Sequence, residues 1–232
     1  MPLAASRART RYTASLPLST YCGKPDSDRM GKIGIFGGTF DPVHWGHLLI
    51  AESALSQMAL DLVIWVPNPR PHNKQAVLFE HRWEMVQVAI ANRPGFTIFP
   101  KLAESSTSTY AIQTLIELQA AYPNNYWYWI LGLDTFQTLP RWYRRHELAA
   151  ACEWIVASRG NAEFQFTCTQ VVQQLAAQSI NIQWHKLDMP VVGVSASLIR
   201  QYCRSSRSIR YLVSESVRTY IATHNLYKQG LE

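Results

Sequence analysis

The sequence predicts a single α/β domain built on a doubly wound parallel sheet, with helices at its C-terminal end. Short apolar runs alternate along the chain with longer segments of helical periodicity, which is the order of elements in such a sheet. The apolar runs are continuous, as in strands that are buried on both faces. The 232 residues are 47% hydrophobic and 16% charged, which suffices for one full core. The predicted class is therefore Rossmann-like.

Each of the six predicted strands is a short apolar run. The strands are KIGIF at 32–36, DLVIWVP at 61–67, GFTIFP at 95–100, YWYWILG at 126–132, EWIVASR at 153–159 and IQWHKL at 182–187. Helical periodicity or helix-forming composition occupies the segments between and after them. These segments are about 46–58, 81–92, 109–122, 146–152 and 168–178, followed by 196–204 and 214–224.

Residues 1–29 differ from the rest of the chain in composition. They lack hydrophobic periodicity, are rich in Ser, Thr, Arg and Pro, and hold five basic against two acidic residues. We interpret them as a disordered basic extension, followed by the domain at 30–232. A targeting segment with similar composition is an alternative, and Met30 is a second candidate start of the chain. We expect the fold not to require this extension.

Composition also narrows the class of protein. No apolar run approaches the roughly 20 residues that span a bilayer, so no membrane partner is predicted. The four cysteines show no C-x-x-C pair and no zinc-ligand spacing, which indicates reduced thiols and a cytoplasmic location. The formal net charge is +6, and beyond residue 29 it is spread without a basic run. We expect a phosphorylated small molecule rather than nucleic acid as the partner, and self-association is left open.

The stretch GIFGGTFDPVHWGHLLI carries the first indication of chemistry. Gly37 and Gly38 follow the first strand, where ligands bind in such sheets; glycine can take a positive φ there and let a ligand approach the backbone. The next helix offers N–H groups and a positive dipole end to an anion. The spacing is neither the dinucleotide G-x-G-x-x-G nor a P-loop.

His44 and His47 stand three residues apart at the start of that helix and share one side of its first turn. They can donate hydrogen bonds to phosphate oxygens, as neutral imidazole or as imidazolium. A helix cap, a surface role or a metal pair are the alternatives. At the end of the fourth strand, Gly132 and Asp134 offer a carboxylate that can accept from ribose hydroxyls.

The stretch GGTFDPVHWGH resembles the signature of the nucleotidylyltransferase superfamily, with its H-x-G-H element. Further stretches, in the same order, resemble those of bacterial nicotinate-mononucleotide adenylyltransferases. They are VPNPRPHNK, HRWEM, STYAIQTL, GLDTFQTLPRWY, VASRG, VSASLIR and YLVSESVRTYIATHNLY. The resemblance covers nearly all of 32–228. It implies an enzyme of NAD biosynthesis that joins ATP and nicotinate mononucleotide to give nicotinate adenine dinucleotide and pyrophosphate.

The resemblance implies an ATP site in which three residues are catalytic. His44 and His47 would hold the phosphates, with His47 closest to the α-phosphate, and Arg200 would grip the β- and γ-phosphates. VSASLIR departs from the family's I-S-S-T-x-I-R at Ala196, which lacks a hydroxyl, and at Ser197, which keeps one. The implied ATP-binding residues are Gly37, Gly38, Thr39, Phe40, His44, His47, Gly132, Asp134, Ser195, Ser197 and Arg200.

A second group of residues is implied for the mononucleotide. Lys74 would contact its 5′-phosphate, and Trp142 would stack on the pyridine ring, with a half-buried packing role as the alternative. Backbone N–H groups of two segments would read the nicotinate carboxylate. The implied mononucleotide-binding residues are Lys74, Thr109, Tyr110, Ala111, Trp142 and Tyr143. Ala111 and Gln113 depart from the family's S-Y-T-x-D-T-L, which affects the choice between acid and amide.

The resemblance also implies Mg²⁺, bound with ATP and largely hydrated, without a dedicated protein metal site. Four alternatives remain. The first is an adenylyltransferase that prefers or also accepts nicotinamide mononucleotide, and the second is a pantetheine-phosphate adenylyltransferase. The third, from another class, is a nucleotide-binding regulator that has lost catalysis, and the fourth is a nucleic-acid binder that uses the basic extension. The joint presence of His44, His47, Ser197 and Arg200 argues against the third.

Overall fold

The computed structural model describes residues 30–71, 76–99, 110–158 and 163–228. Its strands are β1 (Lys32–Gly38), β2 (Leu62–Pro67), β3 (Phe96–Ile98), β4 (Tyr126–Gly132), β5 (Glu153–Ala157) and β6 (Trp184–Leu187). Its helices are α1 (Trp45–Gln57), α2 (Phe79–Ile90), α3 (Ala111–Ala121), α4 (Leu133–Phe136), α5 (Arg145–Ala151), α6 (Phe164–Ala176), α7 (Ala196–Arg204) and α8 (Glu215–Thr223). The extension at 1–29 lies outside the described residues.

The strands form one six-stranded sheet in the order β3-β2-β1-β4-β5-β6, and every neighbouring pair is parallel. This is the strand order of the doubly wound dinucleotide-binding fold, so the predicted fold class is confirmed. From β1 the chain proceeds to one side of the sheet, and from β4 to the other. The crevice between β1 and β4 is the switch point, where ligands bind in such sheets.

Both faces of the sheet are covered by apolar clusters. Phe36 and Ile130 belong to the cluster beneath α1, α2 and α8, whereas Ile33 and Ile35 belong to the cluster beneath α3, α5 and α6. Gly34 lies between neighbouring strands, where an added Cβ would come within 2.8 Å of Leu60 Cδ1 and 2.9 Å of Ile130 Cδ1. Burial on both faces explains why the strands are continuous apolar runs.

Some element boundaries differ from the predicted ones. Helix α6 begins at Phe164, four residues earlier than expected, because Phe164 lies on the same buried face as Cys168 and Val171. The residues after β4 form the short helix α4 and a 3₁₀ turn at Leu139–Arg141, neither of which was predicted. No described helix has the length and apolar character needed to cross a membrane.

Candidate active site

The two motif histidines cap the first turn of α1 and contact each other. His44 is the N-cap residue and is 3% exposed. Its Nδ1 accepts a hydrogen bond from the Gly46 N–H at 3.1 Å. Nδ1 of His47 accepts from the His44 N–H at 3.2 Å, and the ring centroids lie 3.7 Å apart. The reciprocal bonds form a capping box.

These bonds determine the tautomer of both rings. A nitrogen that accepts a backbone N–H carries no proton, so each neutral ring carries its proton on Nε2 and presents Nε2 as a donor. Of the two forms predicted for phosphate binding, the capped geometry selects the neutral imidazole. The imidazolium would place a second proton on Nδ1, which could then not accept these backbone bonds.

The glycine of the H-x-G-H motif has a packing role that sequence reasoning missed. A Cβ on Gly46 would lie 3.0 Å from Cε1 and Nδ1 of His44, so the imidazole lies directly against the helix backbone. The same Cβ position lies 3.8 Å from the Val194 carbonyl oxygen, which shows that the chain entering α7 reaches the motif. The position of this glycine between the two histidines was the feature of the sequence that could have indicated its packing role.

The glycine turn after β1 differs from the prediction in one respect. Gly37 and Gly38 have no positive φ; Phe40 does, with φ 51°. The Phe40 ring is buried and packs edge-on to His47, with centroids 5.1 Å apart. A Cβ on Gly38 would come within 2.8 Å of that ring. The prediction of positive φ at the glycines is therefore wrong, because the reversal occurs at Phe40 and the lack of a side chain at Gly38 makes room for its ring.

Two glycines at the switch point border open space. A Cβ on Gly132 would meet no atom within 4 Å, and one on Gly37 would meet only the Trp129 indole, at 3.7 Å from Nε1. The packing of the described residues and the backbone φ therefore do not require glycine at either position. Their missing side chains leave room at the carboxyl ends of β1 and β4, where a ligand would approach the backbone.

Arg200 is anchored to the motif loop by a network that ends near the C-terminus. Its Nη1 donates to the Asp41 carbonyl at 2.7 Å and lies 3.7 Å from that residue's Oδ2, while Nη2 donates to Ser197 Oγ at 3.2 Å. The Tyr227 hydroxyl donates to Asp41 Oδ1 at 2.7 Å. Burial raises the pKa of Tyr227, and the Asp41 carboxylate raises it further, so the phenol stays protonated. Sequence reasoning identified Arg200 but missed Asp41 and Tyr227.

The predicted serines lie at the start of α7. Ser195 is the N-cap, and its Oγ accepts from the Leu198 N–H at 3.2 Å. Ser197 accepts from Arg200. Each hydroxyl accepts in these bonds, so its own proton can still be donated. Hydroxyls, N–H groups and the positive dipole end of α7 are suited to an anion.

Arg82, from the HRWEM stretch, is the most deeply buried charged side chain in the described part of the chain, at 1% exposure. Its guanidinium donates to four backbone carbonyls, including that of Thr39 in the motif loop at 2.9 Å. Burial lowers the pKa of Arg82, and Asp41 opposes the shift, but a guanidinium remains charged at neutral pH. The available signal was an arginine within an apolar helical face.

Of the residues predicted for the mononucleotide that the structure describes, Trp142 and Tyr143 follow the 3₁₀ turn after β4, and Tyr110 and Ala111 lie at the start of α3. Trp142 is half-buried, donates from Nε1 to Thr138 Oγ1 at 2.9 Å, and packs edge-on to Trp129 and Trp154. The exposed rings of Tyr110 and Tyr143 lie together, with centroids 4.6 Å apart. Ala111 begins α3.

The remaining predicted positions are Asp134, Lys74 and Thr109. Asp134 is exposed and lies in α4, one residue into the helix rather than in the strand. Lys74 and Thr109 lie outside the described residues, so their predicted contacts stay predictions. Within the described ranges, no three His, Cys, Asp or Glu side chains come close enough together to hold a metal ion.

Comparison with known proteins defines the class. Residues 35–202 match the cytidylyltransferase-like family, and the chain belongs to that family. A Trichormus variabilis protein named "Probable nicotinate-nucleotide adenylyltransferase" is 53% identical over 208 residues, which are 88% of this chain and 100% of the relative. A Geobacillus kaustophilus protein of the same name is 36% identical over 201 residues, 85% and 87% of the two chains. The chain therefore groups with the nicotinate-nucleotide adenylyltransferases, which confirms the family that its motifs predict.

Solved structures support the fold independently. The Plasmodium falciparum nicotinic acid mononucleotide adenylyltransferase, solved in complex with NaAD, superposes with a TM-score of 0.68 at 21% identity. The match covers 85% of this chain and 97% of the other. The same enzyme complexed with APC gives a TM-score of 0.66 at 20% identity. At these identities the likeness concerns the architecture of the domain.

Proposed function

We propose that this chain transfers the AMP unit of ATP to nicotinate mononucleotide, forming nicotinate adenine dinucleotide and pyrophosphate. The observation that carries the proposal is the His44–His47 pair, whose bonds make both rings Nε2 donors beside the start of α7. Donors of this kind at the switch point of a doubly wound sheet suit a chain of phosphates. The names of the relatives support the choice of substrate and reaction.

The reaction needs no general base. The 5′-phosphate of the mononucleotide is already an anion at neutral pH, and one of its oxygens attacks the α-phosphorus of ATP in line. A bond forms between that oxygen and the α-phosphorus, and the bond from the α-phosphorus to the bridging oxygen breaks. Pyrophosphate leaves with the electron pair. The protein therefore has to bring two anions together and stabilise the charge that develops on the leaving group.

The residues beside β1 and at the start of α7 contact different phosphates of ATP. His47 and His44 donate to oxygens on the α- and β-phosphates, and they do so without adding charge because the cap keeps them neutral. Arg200, Ser197 and the N-terminus of α7 receive the β- and γ-phosphates, where most of the leaving-group charge collects. The active substrate is ATP with its Mg²⁺, an ion that keeps most of its waters and neutralises phosphate charge.

The residues of the β4 half bind the nucleosides. Asp134, just after β4, accepts hydrogen bonds from adenosine ribose hydroxyls, and the open space at Gly132 admits the ligand. Trp142 stacks on the pyridine ring, with Tyr110 and Tyr143 beside it. The N–H groups at the start of α3 bind a carboxylate more strongly than an amide, because a helix N-terminus favours negative charge. Nicotinate mononucleotide is therefore preferred to the nicotinamide form.

Pyrophosphate release tests the proposal directly. The purified chain is supplied with ATP, Mg²⁺ and either nicotinate or nicotinamide mononucleotide, and kcat/KM is measured for each. We expect release with both ATP and nicotinate mononucleotide present, and a lower kcat/KM with the amide. A higher value with the amide would reverse the substrate assignment. Nucleotide binding without release in either case would instead indicate a regulator that has lost catalysis.

A further inference from the structure

Arg82 joins three segments of backbone at the edge of the crevice. Its Nε donates to the carbonyl of Val77 at 3.1 Å. Its Nη1 donates to the carbonyls of Thr39 at 2.9 Å and Asn68 at 2.7 Å, and Nη2 to that of Pro69 at 3.3 Å. Four of the five N–H donors of the guanidinium thus bond to main-chain oxygens rather than to side chains.

These carbonyls belong to two loops. Thr39 lies in the loop that follows β1 and leads to the histidines. Asn68 and Pro69 begin the connection from β2 to α2, and Val77 ends it, so one side chain holds both ends of that connection. The Asn68 N–H donates to the Gly38 carbonyl at 2.8 Å, which adds a direct bond between the loops. Both loops leave the same edge of the sheet, beside the proposed phosphate site.

The chemistry of the contact makes it sensitive to small displacements. Within the described ranges no carboxylate lies within ion-pair distance of Arg82, so hydrogen bonds to carbonyls offset the desolvation of its buried charge. If either loop moved away, a buried donor would lose its acceptor, which is unfavourable. A lysine keeps the charge but has three donors on a single atom and cannot span the same set of oxygens.

We propose that Arg82 is a positioning residue that holds the loop after β1 and the loop after β2 in one fixed arrangement before either nucleotide binds. Its role in the reaction rests on the proposed function, because the two loops border the sites of the two substrates. Arg82 contacts neither substrate itself. It acts through Thr39 and Asn68, so its loss affects the binding of both substrates together.

The test compares two variants of the same helix in the full chain. Arg82→Lys keeps the charge and removes the fork of donors. Val86→Ala, one turn further along α2, removes packing from a fully buried position that belongs to the apolar cluster. Melting temperature, the KM for each substrate and amide hydrogen exchange are measured for both, well below either melting temperature. Arg82→Gln is a second variant, judged by the same criteria, in case Arg82→Lys does not fold.

Exchange at two amides reports on the loops without reference to activity. They are Asn68, bonded to Gly38, and Arg70, whose N–H donates to Asn68 Oδ1 at 2.9 Å. In Arg82→Lys we expect both amides to exchange at least about tenfold faster and both KM values to rise at least about fivefold. In Val86→Ala the melting temperature should fall, while the KM values and these exchange rates stay within about twofold.

Several outcomes would overturn the proposal. If Arg82→Lys only lowers the melting temperature, as Val86→Ala does, the residue is structural. If the KM of a single substrate rises, or Asn68 and Arg70 keep their protection, Arg82 does not join the two loops. Failure of the proposed function is a separate result, since it would appear as no pyrophosphate release by the unmodified chain. The exchange rates at Asn68 and Arg70 would still decide whether Arg82 holds the loops.

Discussion

The two sides of the crevice are built in different ways. On the β1 side, the side chains assigned to the phosphates are already held by bonds within the protein. His44 and His47 cap α1, Arg200 is anchored to Asp41, and Ser195 caps α7. On the β4 side, the corresponding groups are Asp134, Tyr110 and Tyr143, which are exposed, and Gly132, which borders open space.

This difference matches the two tasks of the reaction. Donors that stabilise a transition state act best when they need no reorganisation at the moment of reaction, so they are fixed by caps and buried networks. Groups that select a substrate bind by stacking and by hydrogen bonds that form only when the ligand arrives. The β1 side should therefore determine kcat, and the β4 side should determine the KM values of the two nucleotides.

Replacement of His47 is the most severe test of the β1 side. Asn places an oxygen near the position of Nδ1, where it can accept the His44 N–H, but it lacks the Nε2 donor. We expect His47→Asn to fold normally and to lower kcat by about 10²- to 10³-fold, as for the loss of an oxyanion donor. Steady-state kinetics and the melting temperature check this. A loss of tenfold or less in kcat/KM would show that His47 does not contact the phosphates.

Substitutions of Arg200 and of Tyr227, which bonds to the same Asp41, should lower activity by different amounts. Arg200→Ala should lower kcat, because it removes about 2–4 kcal/mol of transition-state stabilisation. Tyr227→Phe removes the donor to Asp41 Oδ1 and leaves that carboxylate to compete for Arg200, which should cost about 0.5–1.5 kcal/mol. Both values follow from kcat/KM for ATP. A Tyr227→Phe enzyme with unchanged kinetics would mean that Asp41 positions Arg200 through its carbonyl alone.

Trp142 tests the β4 side. Because stacking of a base on an aromatic ring contributes about 1–3 kcal/mol, Trp142→Ala should raise KM for the mononucleotide roughly 5- to 150-fold and leave KM for ATP nearly unchanged. Trp142→Phe keeps an aromatic face and serves as the control. Equal increases in both KM values would indicate that Trp142 packs against Trp129 and Trp154 rather than on substrate.

A substitution at Gly132 distinguishes an effect on ATP binding from an effect on stability. Its φ of −77° suits alanine, and the added methyl meets no atom within 4 Å in the part of the chain that the structure describes. Gly132→Ala should keep or slightly raise the melting temperature. It should also raise the KM for ATP by a factor that corresponds to a loss of about 1–2 kcal/mol in binding free energy, which lies within the range for overpacking. Gly34→Ala is the matched control, because its methyl collides with Leu60 and Ile130 and should lower stability. An unchanged KM would place the nucleotide elsewhere.

The smallest expected effect concerns the α2–α8 contact behind the β1 side. Burial lowers the pKa of His81 below its ordinary value of 6.5, and His224 lowers it further, against Glu80 and Glu84. The unfolded chain therefore binds this proton more tightly than the folded one. The free energy of unfolding should decrease as the pH falls below 6.5, and His81 should contribute nothing above it.

Replacing the ring tests this sign. His81→Gln should make the loss of melting temperature between about pH 7 and about pH 5 smaller than in the unmodified chain, because it removes a group that takes up a proton on unfolding. His146→Gln, at an exposed position of α5, is the control. A steeper loss in His81→Gln would mean that protonation of His81 stabilises the contact.

The sequence predicted the sheet well because burial on both faces leaves continuous apolar runs. It predicted α6 less well, because glutamines and threonines obscure the buried face that begins at Phe164. The spacing of His44 and His47 is also that of a capping box, so their reciprocal bonds were within reach of sequence reasoning. The usual capping pair is Ser or Thr with Glu or Gln, so the histidines were interpreted first as phosphate donors, with the helix cap that the structure shows as an alternative.

Other parts of the site leave little trace in the sequence. The partners of Arg82 are backbone carbonyls, and a carbonyl is present at every residue, so no residue type marks them. Asp41 and Tyr227 lie 186 residues apart, and neither local propensity nor periodicity relates positions so distant. The predicted contacts of Lys74 and Thr109 lie outside the described residues and stay predictions.

The bond between Tyr227 and Asp41 also has a consequence for the order of events during synthesis. The ribosome makes the glycine turn and both histidines well before the phenol that completes the Arg200 network, 186 residues after Asp41. All six strands of the sheet are synthesised before this phenol. The Arg200 network of a nascent chain therefore lacks its phenol until after the last strand has been made, and we expect full activity only once Tyr227 has joined the network.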